Sequence, residues 1–275
     1  MILGLPPSSF LLLGACVFLA GAVDALAGGG GLITLPAYLA AGLPPALILG
    51  TNKLASSIGT AVSTLRYQRA LKLSLRPFLP VIAMALVGSW LGARLALHVD
   101  PSWIRPLLLA ALPVVAWLSW SRKDFGAEDH SRHLSAEERR RRGLLVALPI
   151  GAYDGFFGPG TGTFFALALV RWGRHDLLQA TARAKVLNLA SNLAALTAFA
   201  WAGRLHWGLG LSMSALSVAG HWVGSHLGIR DGVRVIRPMV VLVCAGLFAK
   251  ILFDACPTYI LLQFRGSRPI LGLER

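Results

Sequence analysis

Apolar stretches separated by short polar connections make up nearly the whole chain. A bilayer-crossing helix needs roughly 20 mostly apolar residues, and eight apolar stretches of about that length or longer follow one another. The pattern predicts an all-α, polytopic membrane protein with about eight transmembrane helices. The predicted segments cover residues 9–41, 46–65, 77–98, 103–120, 144–170, 183–202, 208–227 and 236–255.

Two of these segments, 9–41 and 144–170, are too long for one simple crossing. Each has a glycine cluster near its middle, at 28–31 and at 158–162. Glycine and proline interrupt helical hydrogen bonding, and lipid tolerates the freed backbone groups only where protein buries them or they line a wet cavity. Each long segment is therefore predicted to be a broken or re-entrant helix.

The composition excludes most soluble folds. Hydrophobic residues make up 55% of the chain and charged residues 14%, against about 25% charged in an ordinary soluble domain. The net charge of +14 would suggest nucleic-acid binding in a soluble protein. We expect no such partner, because the basic residues lie mostly between apolar segments, where their preference for the cytoplasmic side explains them. The cysteines lack metal-ligand spacing and are interpreted as packing residues.

The two halves of the chain align with a shift of about 130 residues. Asp24 pairs with Asp154, and after a short slippage Lys53 pairs with Lys185. The alignment predicts two homologous repeats of four segments each. The predicted domains are a first transmembrane repeat at 1–120, a charged cytoplasmic linker at 121–143, a second transmembrane repeat at 144–255 and a C-terminal tail at 256–275.

Two arrangements of the repeats remain open. Basic residues at 66–76, in the linker and in the tail predict a cytoplasmic position for all three regions. Four crossings per half would make the repeats parallel. If each broken segment instead enters and returns, each half has an odd number of crossings and the repeats are inverted. The parallel arrangement would leave four basic residues outside, namely Arg171, Arg174, Arg230 and Arg234.

Asp24 and Asp154 lie inside apolar segments at equivalent positions. An ionisable residue at membrane depth is costly enough to be a candidate functional residue. One hypothesis is that the two carboxyl groups bind a coupling proton or cation. The other is structural: they cap the helix after the glycine break, or they pair with Lys53 and Lys185 and hold the halves together.

Lys53 and Lys185 begin the second segment of each half, and polar side chains follow each at helical spacing. An ammonium beside hydroxyl and amide donors suits an oxyanion, and unwound glycine backbone before a helix start adds free N–H groups. The alternative is hydrogen bonding between helices. The candidate substrate-binding residues are Gly29, Gly30, Gly31, Thr34, Asn52, Lys53, Ser56, Gly160, Thr161, Gly162, Thr163, Lys185, Asn188 and Asn192.

Other motifs are not predicted to belong to the functional site. The glycine pairs at 88–92 and 220–224 have the spacing of close helix packing. His98, His206 and His221 are too scattered in the sequence for a metal site. We therefore predict no metal and no cofactor.

Four motifs together identify a resemblance: GGGGLIT at 28–34, GTNK at 50–53, DGFFGPGTG at 154–162 and KVLNLASN at 185–192. This pattern resembles the TauE/SafE family of membrane transporters, often described as sulfite or organosulfonate exporters. The similarity covers roughly residues 10–255. The resemblance implies a multi-pass helical bundle of duplicated halves in a bacterial inner membrane, with small sulfur-containing anions as substrates.

The functional prediction is a secondary transporter, an exporter of sulfur-containing oxyanions or organosulfonates, that works by alternating access at a site between the repeats. Its expected partners are the small anion, the lipid bilayer and a coupling proton or cation. No nucleotide-binding motif of the GxxxxGK[ST] type occurs in the sequence. An anion channel and an intramembrane enzyme acting on a lipid phosphate are the alternatives, and the enzyme is disfavoured because the sequence lacks a catalytic metal or carboxylate motif.

Overall fold

The computed structural model describes residues 3–99, 128–236 and 238–239, and these ranges form a bundle of α-helices without strands. The all-α prediction is thus confirmed. The helices are α1 (Pro7–Ala27), α2 (Gly31–Ala40), α3 (Pro45–Leu71), α4 (Leu79–Ala96), α5 (Ala136–Phe156), α6 (Thr161–Arg171), α7 (Leu177–Trp201) and α8 (Trp207–Asp231).

The glycine clusters lie where the two long segments break. Between α1 and α2, Gly28 adopts a left-handed backbone with φ of 83°. Between α5 and α6, Gly158 and Gly160 have φ of 98° and 79°. Two broken segments therefore supply four helices. The predicted segments 103–120 and nearly all of 236–255 lie outside the described residues.

The helix predicted to begin at residue 144 begins earlier, because α5 starts at Ala136, inside the charged linker. The Ser135 hydroxyl accepts from the Glu138 backbone N–H at 3.1 Å, and the Glu138 carboxylate accepts from the Ser135 backbone N–H at 2.9 Å. This capping box holds the pKa of Glu138 below its usual value, chiefly through the Ser135 backbone hydrogen bond. The Ser-x-x-Glu spacing is the sequence signal for such a helix start.

Helix α6 returns to the end of the bundle at which α5 begins. Arg142, in the second turn of α5, donates to the Trp172 carbonyl just after α6 at 3.1 Å. The backbone N–H of His130 donates to the Arg174 carbonyl at 2.9 Å. The two helices therefore form a hairpin whose turn is the glycine break. We call the end that holds these contacts the basic end.

The end of α3 and the end of α8 also lie at the basic end. The Thr64 hydroxyl donates to the Lys185 carbonyl, two turns into α7, at 3.1 Å. The guanidinium of Arg66 lies 3.4 Å from the His226 ring, near the last turn of α8. Arg171, Arg174 and Arg230 are therefore at the same end as the linker, which disagrees with the arrangement of four crossings per half.

The hairpin of α1 and α2 starts from the opposite end. Leu3, ahead of α1, lies beside Gly208 at the start of α8. The backbone N–H of His206, between α7 and α8, donates to the hydroxyl of Thr51 near the start of α3 at 2.9 Å. The start of α1 and the connection from α2 to α3 thus share this end. Two glycine-turn hairpins consequently enter the bundle from opposite ends.

Glycines permit the closest helix crossings. A Cβ atom on Gly92 of α4 would overlap the carbonyl of Ala152 in α5. In the same way, a Cβ on Gly224 of α8 would overlap the carbonyl of Ala22 in α1. Each predicted glycine pair therefore packs a helix of one half against the first helix of the other half, as small residues do in membrane bundles.

The outer surface of the bundle is apolar. Two helical stretches in the described part of the chain, Pro7–Ala27 and Arg76–Ala96, have the length and hydropathy of membrane spans. Helices α3 and α7 each carry a lysine and several polar side chains, which lowers their hydropathy. An apolar surface of this kind suits lipid rather than water. Exposed large apolar residues on α1 and α4 include Leu11, Leu12, Leu19, Trp90, Leu91 and Leu95.

The hairpin directions predict which sites share a side of the membrane. In a background without native cysteines, Glu137→Cys and Arg171→Cys should react with a membrane-impermeant maleimide from one side only. Ala40→Cys and Ala202→Cys should react from the other side, because they lie at the opposite end. Labelling of Arg171→Cys from the same side as Ala202→Cys would mean that the α5–α6 segment crosses the membrane.

The glycine crossings predict a steep cost for one added methyl group. Gly92→Ala and Gly224→Ala should each lower the stability by about 1–3 kcal/mol, because the new Cβ forces two backbones apart. Thermal unfolding in detergent measures the loss. Leu95→Ala, at an exposed position on α4, is the matched control and should change the unfolding temperature little. Equal effects of all three substitutions would contradict the packing role.

Candidate functional site

A small cavity lies where the two glycine turns meet. A Cβ atom on Gly28 would overlap the backbone of Gly162, so only glycine allows the turns to approach this closely. The cavity has a volume of about 20 Å³, enough for about one water molecule. It is lined by Asp24, Gly28, Gly31, Asn52, Lys53, Ser56, Asp154, Gly158, Gly162, Asn188 and Asn192.

On one side of the cavity, Lys53 of α3 pairs with Asp154 of α5. The ammonium lies 2.8 Å from the Asp154 carboxylate and donates to the Asn192 side-chain oxygen at 2.7 Å. Lys53 is 3% exposed and Asp154 is 1% exposed. The pair joins the first half of the chain to the second inside the bundle, where both side chains are buried.

On the other side, Lys185 of α7 pairs with Asp24 of α1. The ammonium lies 3.0 Å from the Asp24 carboxylate and also donates to the Asp24 backbone carbonyl. The other carboxylate oxygen of Asp24 accepts from the Gly30 backbone N–H at 3.2 Å. Asp24 therefore caps the turn after the glycine break and also pairs across the halves, as the structural hypothesis for the two aspartates describes.

The two ion pairs are reciprocal. Each lysine comes from the second predicted segment of one half, and its aspartate comes from the first segment of the other half. Burying a single charge is costly, and a partner with good geometry removes most of that cost. The arrangement therefore ties each half to the other through the residues that the sequence alignment matches.

The cavity includes several predicted substrate-binding residues. Those that line it are Gly31, Asn52, Lys53, Ser56, Gly162, Asn188 and Asn192. Lys185 lies behind Asp24, to whose carboxylate it is bonded, and Gly30 contributes its N–H to the same carboxylate. Gly29 and Gly160 belong to the two turns, and Gly160 is the N-cap of α6.

The three predicted threonine donors point elsewhere. The Thr34 hydroxyl donates to the Asn52 side-chain oxygen at 2.7 Å. The Thr161 hydroxyl donates to the Gly158 carbonyl at 2.7 Å, and the Thr163 hydroxyl donates to the Ala27 carbonyl. None of the three lines the cavity, so each supports the turns or a lining residue.

His221 is the residue at this site that the sequence reasoning missed. It was considered only as a metal ligand, whereas its Nε2 atom lies 3.1 Å from the Asp24 carboxylate. A histidine inside an apolar segment is itself an ionisable group at membrane depth, and that signal was available in the sequence. Gly28 and Gly158 also line the cavity, although only other glycines of the two clusters are among the predicted substrate-binding residues.

The apolar surface of the bundle suits a membrane, and the similarity of the chain to known proteins gives its class. The chain is 40% identical over 252 residues to "Probable membrane transporter protein YfcA" of Escherichia coli K12, covering 89% of this chain and 91% of that protein. A "Probable membrane transporter protein" of Haemophilus influenzae is 38% identical over 240 residues, covering 87% and 93%.

A third relative, "Probable membrane transporter protein ORF9" of Sinorhizobium sp, is 39% identical over 242 residues, covering 88% of this chain and 91% of that protein. The profile of the family described as "Sulfite exporter TauE/SafE" matches residues 13–251. The chain belongs to the TauE/SafE family of membrane transporters, and its place is the bacterial inner membrane. No solved structure matches the chain.

The reciprocal pairing predicts which substitutions compensate one another. Lys53→Met should cost about 3–5 kcal/mol, because it leaves the Asp154 carboxylate buried without its cation. Adding Asp154→Asn should recover much of that loss. Thermal unfolding of single and double variants in detergent measures the coupling.

The matched control is Lys53→Met combined with Asp24→Asn. That variant should recover nothing, because Asp24 pairs with Lys185 on the other side of the cavity. If Asp24→Asn rescues Lys53→Met as well as Asp154→Asn does, the pairing described here is wrong.

Proposed function

We propose that this protein is a secondary transporter that exports small anions, namely sulfur-containing oxyanions or organosulfonates. The observation that carries the proposal is the pair of reciprocal Lys–Asp contacts on the two sides of one cavity, at the meeting point of two glycine turns. The description of the family as a sulfite exporter supports the substrate class.

The chemistry of the cavity suits an oxyanion. Lys53 presents an ammonium, and Asn52, Asn188 and Asn192 place side-chain amides around it. Charge-assisted hydrogen bonds to oxyanions are stronger than neutral ones. An anion oxygen entering the site would replace the Asp154 carboxylate as the partner of the Lys53 ammonium.

The size of the cavity implies that the anion enters a different conformation. A volume of about 20 Å³ holds about one water molecule, so it has no room for a sulfonate group. Binding therefore requires the walls to separate, and the ion pairs between the halves are the contacts that must loosen. The described conformation is the closed, substrate-free one in this proposal.

The two hairpins supply the symmetry that alternating access needs. We infer that the halves are inverted repeats, since one hairpin starts from the basic end and the other from the opposite end. Transporters of this kind open one half against the other around a fixed central site. The Arg and Lys residues at the basic end support a cytoplasmic position for that end.

The test is flux of labelled anions in proteoliposomes. Uptake and efflux of sulfite, sulfate, methanesulfonate and an unrelated carboxylate are compared between the wild type and the double variant Lys53→Met/Asp154→Asn. We expect saturable, selective flux of sulfur anions in the wild type. We expect at least a tenfold loss in the double variant, because it keeps a neutral, compensated site but lacks the ammonium.

The second symmetric variant, Lys185→Met with Asp24→Asn, should lose flux similarly. Each variant is first shown by gel filtration and thermal unfolding to be folded. Wild-type flux that grows linearly with concentration without saturation would indicate a channel. No flux of any sulfur anion by folded wild type would refute the proposed substrate class.

A further inference from the structure

His221 of α8 is buried next to the ion pair of the first aspartate. It is 2% exposed. Its Nδ1 atom lies 2.9 Å from the Ser217 carbonyl on the same helix, and its Nε2 atom lies 3.1 Å from the Asp24 carboxylate. The Thr60 hydroxyl of α3 lies 3.4 Å from the same Nε2 atom.

These contacts allow the cluster to hold two different numbers of protons. Nδ1 lies near the Ser217 carbonyl and also 3.4 Å from the Ser217 hydroxyl, so it can donate to the first or accept from the second. A carboxylate only accepts, so contact between Nε2 and Asp24 requires a proton on the imidazole Nε2 or on the carboxyl group. When Nδ1 also donates to the carbonyl, the cluster holds one proton more than a neutral histidine beside an ionised aspartate.

The same surroundings accommodate the state without that proton. When Nε2 is bare it becomes an acceptor, and the Thr60 hydroxyl is near enough to donate to it after a small shift. Both protonation states of His221 thus have a hydrogen-bond partner. A reversible proton site needs this, because an unpaired buried polar group would block one of the two states.

The charged groups around the cavity determine the net charge of the site when the extra proton is bound. Asp24, Asp154, Lys53 and Lys185 sum to zero, with Asp24 facing His221 directly and Lys185 lying behind Asp24. In the described ranges α3 faces His221 with Thr60 and with Gly59, neither of which titrates. A proton on His221 therefore leaves one uncompensated positive charge, which is costly when buried.

One monovalent anion in the cavity would cancel this charge. By reciprocal linkage, an anion that favours the protonated cluster must bind more tightly when the proton is present, and the proton must bind more tightly when the anion is present. The equivalent position in the first half is Ser89, which follows Gly88 as His221 follows Gly220. Its hydroxyl donates to the Ser191 carbonyl at 2.6 Å and holds no titrating proton.

We propose that His221, through its contact with Asp24, is the coupling site, and that the protein moves one proton together with one monovalent oxyanion. The inference rests on the proposed function as an anion transporter and specifies the charge of its substrate and the stoichiometry. Because the proton and the anion move in the same direction without net charge, export would run down the outward gradient of the anion itself, and an inward proton gradient would favour uptake. The two halves are unequal in this respect, since only the Asp24 side carries the imidazole. His221 acts as a proton-holding residue and the lysines remain the anion-binding residues.

The experiment uses the purified protein in proteoliposomes with labelled methanesulfonate. This anion is monovalent, and its charge is constant between about pH 5 and 8, the range in which histidine usually gains or loses its proton. Exchange without any gradient is measured first. A pH gradient alone should then drive accumulation in the wild type. A membrane potential of about 100 mV should leave the accumulation unchanged, whereas it would bias the distribution of an uncoupled monovalent anion by about fifty-fold.

The variant is His221→Gln, whose amide can still donate to Asp24 but cannot gain a charge. It should retain exchange at a reduced rate and lose accumulation driven by the pH gradient. The matched control is His226→Gln on the same helix, where the ring stacks on Trp222 away from Asp24. That control should accumulate methanesulfonate as the wild type does.

The outcomes distinguish a failure of the proposed anion transport from a failure of the proton coupling. Absence of exchange in folded wild type with methanesulfonate, sulfite and sulfate overturns the proposed function and this inference with it. Exchange without any response to a pH gradient, or with a strong response to the potential, overturns the coupling alone. The potential measurement needs no variant, so it tests the coupling itself even if His221→Gln does not fold. Unchanged accumulation in folded His221→Gln also overturns the role of His221.

Discussion

The fold depends on the cost of burying four charges inside an apolar bundle. Lys53 and Lys185 are almost completely enclosed, and within the described ranges each ammonium pairs with the aspartate of the other half. A lone buried charge would cost several kcal/mol, so the two halves are stable together in a way that neither is by itself. Opening the site means weakening these same contacts.

The glycine turns make this pairing possible. Gly28 and Gly162 bring two backbone turns into direct contact in the middle of the bundle, at a distance that any side chain would prevent. The freed N–H groups there need partners, and Asp24 provides one by accepting from Gly30. The glycines of α4 and α8 then press these helices onto the first helix of the opposite half. Glycine therefore has two roles: it allows the turns to meet at the polar centre, and it allows the helices to pack closely.

Much of the fold and of the site could be read from the sequence. The apolar segments predicted the helices, and the glycine clusters marked the two breaks, because backbone freedom is encoded by the residue itself. The matched positions of Asp24 with Asp154 and of Lys53 with Lys185 identified the four central charges. The prediction from sequence was wrong at the start of α5, because the capping box places the helix start before residue 144. It also missed the contact of His221 with Asp24, because the spacing of the histidines bears only on metal binding.

The sequence by itself determined the membrane class, the family and the chemical identity of the central residues, because hydropathy, local backbone preference and motif spacing are properties of short stretches. Only the tertiary structure decided that each hairpin returns to the end from which it starts, that Lys53 pairs with Asp154 rather than Asp24, and that His221 reaches Asp24. The last two are contacts between residues more than one hundred positions apart. Their existence depends on helix directions and crossing geometry, which no local pattern specifies.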